Sequence, residues 1–555
     1  QSNDLSTSSV NEDNSCRDNS CIFESLCEHD IEERLSIISS GNYSATDDED
    51  NKNEFLNDDN EDLRSIASVN SEHIDIDDTF ILPETDDIIM FEASGIRMSD
   101  VKTMIAAYSI RFSISDVAQT ALVHLVRTLA GPSFKHWNCN IYEVQQAYDP
   151  PSDMITYNYF CTTCHATLLP PISKKQFKNV VKFCPKCKQQ HNLTINSLNY
   201  YLSVDLESQI KTLLHDKKVR QTLLHNLKKI ENSYQSNRPH YIRDVYDSTI
   251  YAKLKSRTKS DDSHMLTYNF NTDGAPIFIS SKKSMWPLQI IINELPVKMR
   301  FRNILLGAFW VGEVEPTPAM MNAFLKEFVV QAKHLQLHGV RIGTEIFRFY
   351  PFCCTVDSVA RPIIQNRIQF NGYYGCSWCY TQGKYSHKAI RYPLTKEDEL
   401  RCHSSHLQDV VDATKLGKAV RGVKGSTILL QLEYFDFVWG FPIDYMHGDL
   451  LGVTRQMLDI WTTPNSPVYI NPKILKIIDN NLVHITPVKE IHRMPRSVSQ
   501  RSKWKASEWR SWLLFYCLPC LQGHVPEKIM HHMALLVKSI FTLLKELITE
   551  NELKE

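Results

Sequence analysis

The sequence lacks the long apolar segment that a membrane-spanning helix needs. No run of about 18 apolar residues occurs among its 555 positions, so no membrane partner is predicted. It also lacks a basic leader followed by an apolar stretch, so secretion is not indicated. The chain begins with Gln rather than Met, which is expected of a fragment or a processed product and leaves an upstream signal open.

The cysteines indicate which metal chemistry the chain supports. Without an export signal, Cys-x-x-Cys pairs favour metal ligation over disulfides. Two such pairs, Cys161 with Cys164 and Cys184 with Cys187, have nineteen residues between them. This spacing predicts a structural zinc site in a zinc ribbon over residues 151–200, and the alternative is four free thiols. A site with four thiolates is closed, so it contributes folding energy and no catalysis.

Charge is distributed unevenly along the chain. The formal net charge is −3, but residues 1–88 are rich in Asp, Glu, Asn and Ser. That segment has too little apolar surface to offset its conformational entropy, so a disordered acidic tail is predicted. The remainder is basic, which suits a nucleic-acid partner. Apolar spacing further predicts a small helical region over residues 89–150 and a helical linker over residues 201–262.

A strand that ends in Asp273 opens an α/β core. Two strand-like runs follow, then a helix that begins at Pro318, then a strand that ends at Asp357. This order predicts an RNase H-like fold over residues 263–440. The first and fourth strands of that fold are neighbours, so the two aspartates are expected to meet at one edge of the sheet. Two carboxylates placed there can hold Mg²⁺ for phosphoryl transfer.

Six motifs carry a resemblance to one family of enzymes. They are NTDGAP at 271–276, SMWPLQ at 284–289, INELP at 292–296, FNGYYGCSWC at 370–379, FPIDYMHGDLLG at 441–452 and WKASEWRSW at 504–512. Together they are similar to the transposases of CACTA-type (En/Spm-like) DNA elements, over roughly residues 241–555. The core is more distantly similar to the V(D)J recombinase catalytic subunit, which shares an Asp-Gly start, a Cys-x-x-Cys pair after the second aspartate and an Ile-Asp-x-x-His-x-Asp motif.

The resemblance implies a DDE-type transposase that cuts and pastes DNA. It makes Asp273 and Asp357 the first two ligands of catalytic Mg²⁺ or Mn²⁺. The implied reaction is hydrolysis of a DNA phosphodiester, followed by attack of the freed 3′-hydroxyl on target DNA. The expected partners are transposon ends, target DNA and further copies of the chain, and the expected location is the nucleus.

The third metal ligand of this family, a glutamate, has no counterpart in the sequence. It follows a helical insertion, whose beginning is expected within residues 441–555. An amphipathic helix is predicted to extend to Leu547, but no His-x-x-x-His followed by Glu comes after it, and Glu508 lies too early. The leading interpretation is an incomplete transposase. The alternatives are a catalytically inactive, transposase-derived DNA-binding or regulatory protein stabilised by zinc, and a zinc-ribbon interaction module whose core motifs are accidental.

A second zinc site is implied by the same resemblance. Cys376 and Cys379 are its cysteine pair, and in the family two distant histidines complete it. Those partners are expected outside this chain. His403 and His406 are local candidates, with exposed loop histidines as the alternative interpretation.

Two more residues are candidates for supporting the catalytic aspartates. Asp444 and His447 follow a strand-like run, Phe437 to Ile443. They are predicted to line the active site or to orient a metal ligand. The alternative is that Asp444 only begins a helix.

Overall fold

The computed structural model of the protein describes residues 88–555, apart from residues 113, 138, 141, 144–149, 174–178, 195–196, 198, 236–240, 259–261, 278–282, 314, 387, 394–398 and 467. The predicted acidic tail therefore lies outside the described residues, except for residue 88. The chain divides into two compact units, whose described parts are residues 88–205 and 206–555. We call them the amino-terminal and the carboxy-terminal unit. Within the described ranges, no helix combines the length and the apolar character needed to cross a membrane.

The amino-terminal unit combines short strands with two well-packed helices. Its elements are β1 (Ile89–Phe91), β2 (Ile96–Arg97), α1 (Met98–Phe112), α2 (Asp116–Ala130), β3 (Ile155–Tyr159), β4 (Ile172–Ser173), β5 (Val180–Phe183), β6 (Gln190–Leu193) and β7 (Tyr200–Val204). Strand β3 pairs with β4 and β7, while β1 with β2 and β5 with β6 form separate antiparallel pairs. Val101, Ile105 and Val123 share a buried core across α1 and α2. The sequence predicted only helices for residues 89–150, so the β1–β2 pair before α1 was not expected.

The carboxy-terminal unit begins with helices and continues as a mixed sheet. These elements are α3 (Leu206–His215), α4 (Lys217–Gln235), β8 (Tyr241–Ile242), α5 (Thr249–Arg257), β9 (Ser263–Thr272), β10 (Ala275–Pro276), β11 (Ser284–Ile292), α6 (Val297–Arg300), β12 (Leu305–Gly312), α7 (Pro318–Leu337), β13 (Val340–Ile342), β14 (Glu345–Cys354) and α8 (Ala360–Ile364). The rest is mainly helical. It comprises β15 (Lys384–Ser386), β16 (Ala389–Arg391), α9 (His403–Leu416), a π-helical segment (Tyr445–Thr454), α10 (Arg455–Thr462), α11 (Pro472–Val483), α12 (Ala506–Ser511), a second π-helical segment (Trp512–Tyr516), α13 (Cys517–Leu521), α14 (Glu527–Leu543), β17 (Ile548–Thr549) and α15 (Glu550–Lys554).

The sheet of the carboxy-terminal unit places the first and fourth predicted core strands side by side. Its order within this unit is β13-β14-β9-β11-β12, with β10 paired to β11. Strand β14 is parallel to β9, whereas β11 is antiparallel to β9 and to β12. The predicted mixed α/β class and the adjacency of these two strands are therefore confirmed. Strand β13 was not predicted, and it forms because Gly339 and Gly343, at φ +68° and +63°, bound a tight hairpin into β14.

Helix α7 covers this sheet with the apolar face that its sequence predicted. The side chain of Thr317 accepts a hydrogen bond from the backbone amide of Met320 and caps the helix, with Pro318 at the first position. The predicted stripe is buried in full; it consists of Met321, Phe324, Leu325, Phe328, Val329 and Ala332. The Phe328 ring lies 5.1 Å from that of Phe270, between ring centroids, so α7 packs directly on β9.

The carboxy-terminal helices surround a second core built on Trp504, Trp509 and Trp512. The amphipathic helix that was predicted to reach Leu547 ends earlier, at Leu543. Leu543 and Leu547 are 60% and 44% exposed, so the prediction that they belong to the buried stripe was wrong. The chain leaves the helix here because the next residues form β17, which pairs with β8.

Candidate carboxylate site and cysteine cluster

Strands β9 and β14 bring Asp273 and Asp357 to one edge of the sheet because they run parallel, with one shift of register between Pro351 and Cys353. Phe270 is aligned with Cys354, and each aspartate follows its member of that pair by three residues. Beyond this pair, the backbone amide of Thr355 donates to the carbonyl oxygen of Phe270 at 3.0 Å. These contacts keep the two chain segments together up to the aspartates.

The turn after Asp273 depends on the glycine that follows. A Cβ atom at Gly274 would lie 2.7 Å from Cζ2 of the Trp286 indole, so the turn packs against that ring only with glycine. Trp286 lies on β11 and is buried. The backbone amide of Gly274 donates to Oδ1 of Asp273 at 2.8 Å. The aspartate is therefore oriented by its own turn.

Asp357 is oriented by the helix that it begins. Its Oδ1 accepts hydrogen bonds from the backbone amides of Val359 and Ala360 at 2.9 and 2.6 Å, at the start of α8. Strand β14 ends at Cys354, so Asp357 lies on the turn rather than at the last strand position. Within the described part of the chain, Oδ2 of Asp357 and Oδ2 of Asp273 accept no hydrogen bond. Both oxygens can therefore serve as ligands of a hard cation.

Asp444 and His447 form a hydrogen-bonded pair at the start of the π-helical segment Tyr445–Thr454. Asp444 caps this segment, because its Oδ1 accepts from the backbone amide of Met446 at 2.9 Å. Its Oδ2 contacts Nδ1 of His447. Asp444 therefore begins this segment, as the alternative interpretation expected, and it also contacts His447.

The strand predicted before Asp444 does not form; residues 437–443 are turns and irregular chain. One carbonyl group of this segment, that of Gly440, accepts from the backbone amide of Cys354 at the end of β14 at 2.7 Å, and two others accept from side chains. The carbonyl oxygen of Phe437 accepts from the Gln365 side chain at 3.1 Å, and that of Phe441 accepts from the Trp378 indole at 3.1 Å. These bonds hold the segment that leads to Asp444.

The charges of these residues act on Asp273. Burial raises the pKa of Asp273 to about 6, and the charge of Asp357 adds to this rise. His447 lowers the pKa of Asp273, and Asp444 raises it by a smaller amount. The aspartates and the histidine therefore share one electrostatic site, in which a bound cation would relieve the repulsion between carboxylates.

Asp449 is a carboxylate near this site that the sequence analysis missed. It lies five positions after Asp444 and within the same π-helical segment. Burial raises the pKa of Asp449, and the charge of Asp444 adds to the effect. The signal was present in the Ile-Asp-x-x-His-x-Asp motif, whose last residue is Asp449.

Glu508 has a structural role outside the carboxylate site. Its carboxylate accepts hydrogen bonds from Arg496 at 2.6 and 2.7 Å and from the backbone amide of Lys505 at 2.8 Å. Among the described residues, the four cysteines treated next are the single group of three or more His, Cys, Asp or Glu side chains close enough to hold a metal. A third carboxylate ligand is therefore not assembled within that part of the chain.

Cys161, Cys164, Cys184 and Cys187 lie close enough to bind a metal ion such as zinc. Their sulfur atoms all lie within 4.8 Å of one another. Each cysteine pair belongs to a tight turn closed by a residue in the left-handed region, namely His165 at φ 57° and Lys188 at φ 64°. This metal-binding arrangement matches the prediction from spacing.

His191 is a neighbour of the cysteine cluster that spacing did not predict. It lies on β6 and is buried. Its Nε2 atom lies 3.2 Å from the sulfur of Cys161. A ring N–H in this position stabilises a thiolate, which is the form that binds zinc.

Cys376 and Cys379 are near each other: burial raises the pKa of Cys376, and the Cys379 side chain contributes to the rise. The two local histidines do not join them. Nδ1 of His403 accepts from the backbone amide of Phe437 at 3.0 Å, and His406 is fully buried and stacked on the Phe437 ring. The interpretation of His406 as an exposed loop residue was wrong, because it faces the core from helix α9.

No protein-family model matches this chain, and a search of curated proteins finds no match either. The assignment of a function therefore depends on the residues and the geometry described above.

Proposed function

We propose that this chain is the catalytic part of a DDE-type transposase of the CACTA class, which cuts DNA and joins it to a target. The observation that carries the proposal is the placement of Asp273 and Asp357 at one sheet edge. The strand order β12-β11-β9-β14, with β14 parallel to β9, supports an RNase H-like core. Three of the six motifs that resemble this family lie at the end of β9 and on or directly after β11, namely those at 271–276, 284–289 and 292–296.

Asp273 and Asp357 are the residues that would hold catalytic Mg²⁺ or Mn²⁺. Each orients one carboxylate oxygen through backbone amides and leaves Oδ2 for a ligand role, which fits the oxygen preference of these ions. Two such ions would stabilise the attacking and leaving oxygens of a phosphodiester. Asp444 contacts the ring of His447, whose charge acts on Asp273.

The cysteines are proposed to have structural roles around this site. Zinc bound by Cys161, Cys164, Cys184 and Cys187 would stabilise a zinc ribbon. Cys376 and Cys379 would belong to a second zinc site whose remaining ligands lie outside the chain. The proposal further includes DNA as the partner, self-association during paired-end cleavage and a nuclear location.

Nicking of supercoiled plasmid DNA in Mn²⁺ tests the proposed reaction. Because a third carboxylate ligand is not assembled among the described residues, the wild-type chain should convert the plasmid to the open-circular form only slowly. Asp273→Asn and Asp357→Asn should abolish this residual conversion. Asp262→Asn is the matched control, because Asp262 is exposed and lies before β9, at the far end from Asp273. Nicking that survives both substitutions would place the chemistry elsewhere.

A second candidate is a catalytically inactive, transposase-derived DNA-binding protein. One observation favours it: in the described residues, Asp273 and Asp357 are not joined by a third ligand at metal-binding distance. This candidate predicts that the wild-type chain binds DNA and Mn²⁺ but does not nick the plasmid. Calorimetric titration with Mn²⁺ together with a DNA-binding assay separates the two candidates.

A further inference from the structure

Arg361 is a buried cation in the wall of the carboxylate site. It lies on α8, four positions after Asp357, and only 8% of its surface is exposed. Its guanidinium lies over the Trp378 ring, with the central carbon 4.4 Å from the ring centroid. This contact fixes the plane of the group. The Trp378 ring is itself held by the hydrogen bond to the carbonyl oxygen of Phe441 at 3.1 Å.

The side chain of Arg361 has a buried donor without a partner in the described part of the chain. Its Nε atom is fully buried and makes no hydrogen bond there, and its guanidinium forms no ion pair within 4.0 Å. Such an arrangement is unusual, because buried charges are normally paired and hydrogen-bonded. The Arg361 guanidinium is therefore suited to bind an anion that is not part of the described chain.

Other buried arginines in the same region do donate hydrogen bonds, although Nε and Nη1 of Arg367 also lack partners among the described residues. Arg401 donates to the carboxylate of Asp409 at 3.2 Å and to two backbone carbonyls. Arg367 donates to the carbonyl oxygen of Cys376 at 2.8 Å. Arg361 differs from both because it faces the carboxylate site.

Three nearby groups act electrostatically on Arg361. Burial lowers the pKa of Arg361, and the charges of Cys376, Asp357 and Asp444 oppose this effect. The last two belong to the carboxylate site. Their negative charge keeps the guanidinium ionised while its donors remain available. An anion between Arg361 and the aspartates would be repelled by the carboxylates unless these held a cation. A phosphodiester substrate meets this arrangement in two-metal chemistry, where metal ions lie between the carboxylates and the phosphate.

We propose that the guanidinium of Arg361 binds a non-bridging oxygen of the DNA phosphodiester held beside Asp273 and Asp357. This inference rests on the proposed function, because it names the group that would position the substrate of that site. Arg361 is a positioning residue: its planar donors and its stacking on Trp378 fix where the phosphate lies. A lysine would keep the charge but not this planar geometry.

Fluorescence anisotropy with a labelled short DNA duplex in Ca²⁺, at low salt, tests the proposal. Arg361→Ala should weaken binding by roughly 10- to 100-fold, as expected for loss of hydrogen bonds to a charged group. Arg361→Lys should recover part of the affinity. Added guanidinium ion should rescue binding by Arg361→Ala, since it can occupy the vacated space over Trp378.

Arg341→Ala is the matched control, because it removes one positive charge from an exposed position on β13. It should change affinity only slightly and should not respond to guanidinium. The inference would be overturned if Arg361→Ala bound DNA with wild-type affinity. It would also be overturned if the variant kept its circular dichroism spectrum and lost affinity that guanidinium did not restore. Absence of duplex binding by the wild type would overturn it too. The proposed function fails separately, if the wild-type chain binds no Mn²⁺ in the absence of DNA.

Discussion

In the metal-free protein, the charged form of Asp273 lowers the free energy of unfolding. A neutral side chain at this position would remove that effect. Its pKa is raised to about 6, by burial first and by Asp357 second. The folded state therefore holds this proton more tightly than the unfolded state. The stabilising contribution is present at low pH and is lost as the pH rises through about 6. Asp273→Asn should stabilise the metal-free protein above that pH by about 1 kcal/mol, after solvent screening is allowed for.

Urea unfolding in chelator, below and above pH 6, measures this effect. The stability difference between Asp273→Asn and the wild type should increase with pH, whereas Asp262→Asn should show little dependence. The same variant should lose affinity for Mn²⁺, so stability and metal binding should change in opposite directions. A variant that is less stable than the wild type at high pH would contradict the repulsion between Asp273 and Asp357.

Gly274 links the conformation of the turn after Asp273 to the packing of Trp286. A Cβ atom at position 274 would lie 2.7 Å from the indole, so Gly274→Ala must displace the ring or the turn. We expect a loss of about 1–3 kcal/mol in stability, as for other overpacked sites, and weaker Mn²⁺ binding. Trp286→Phe removes the nearest indole atoms. The double variant should therefore bind Mn²⁺ better than Gly274→Ala alone, and equal affinities would show that the ring does not orient the turn.

At the scale of secondary-structure elements, a buried carboxyl group joins β9, the end of β11 and helix α5. Glu294 accepts from the backbone amide and the hydroxyl of Thr267 at 2.8 and 2.7 Å, and from the Tyr251 hydroxyl at 3.0 Å. Burial nevertheless raises the pKa of Glu294 to about 7, because these bonds only partly oppose desolvation. The contribution of Glu294 to stability is therefore complete at acidic pH and is lost as the pH rises through about 7.

Glu294→Gln should change the pH dependence of stability. The amide stays neutral, its oxygen can still accept from the Thr267 amide, and its NH₂ group can donate to the two hydroxyls. The free energy of unfolding of the variant, relative to that of the wild type, should increase by roughly 2–3 kcal/mol from acidic pH to pH 8. Chemical unfolding across this range measures the slope. The exposed Glu433→Gln is the control, and parallel wild-type and Glu294→Gln curves would contradict a raised pKa.

At the scale of the whole molecule, features set by neighbouring residues could be predicted from the sequence better than pairings between distant segments. The cap at Thr317 and the stripe on α7 were readable because helix periodicity is local. Cysteine spacing likewise predicted the cluster. The register of Phe270 with Cys354 was not readable, since it depends on residues 84 positions apart in sequence. The same reason hid the burial of His406, which depends on the packing of distant segments around α9.

The candidate site was predictable to a similar extent. The aspartates were found because a carboxylate after a strand is visible in the sequence. Asp449 and Arg361 were missed because their relevance depends on a π-helical segment and on a charge left without a partner. The strand expected before Asp444 failed because its apolar residues pack among aromatic rings, as with Phe437 and Phe441 at 5.3 Å between ring centroids, rather than in a sheet.

Metal removal should affect the β5–β6 pair of the amino-terminal unit far more than the sheet of the carboxy-terminal unit. The β5–β6 pair is a separate two-stranded sheet next to the cysteine cluster, and a hairpin of this size is only marginally stable without support. Strands β9 and β14 lie instead under the apolar face of α7. Hydrogen exchange in a zinc chelator should therefore show loss of amide protection in β5 and β6 and retention in β9 and β14. Cys184→Ala should reproduce this pattern without chelator, whereas Cys139→Ala, which changes a buried cysteine outside the cluster, should not. Equal protection of β5 and β6 with and without chelator would show that the four thiols bind no stabilising metal.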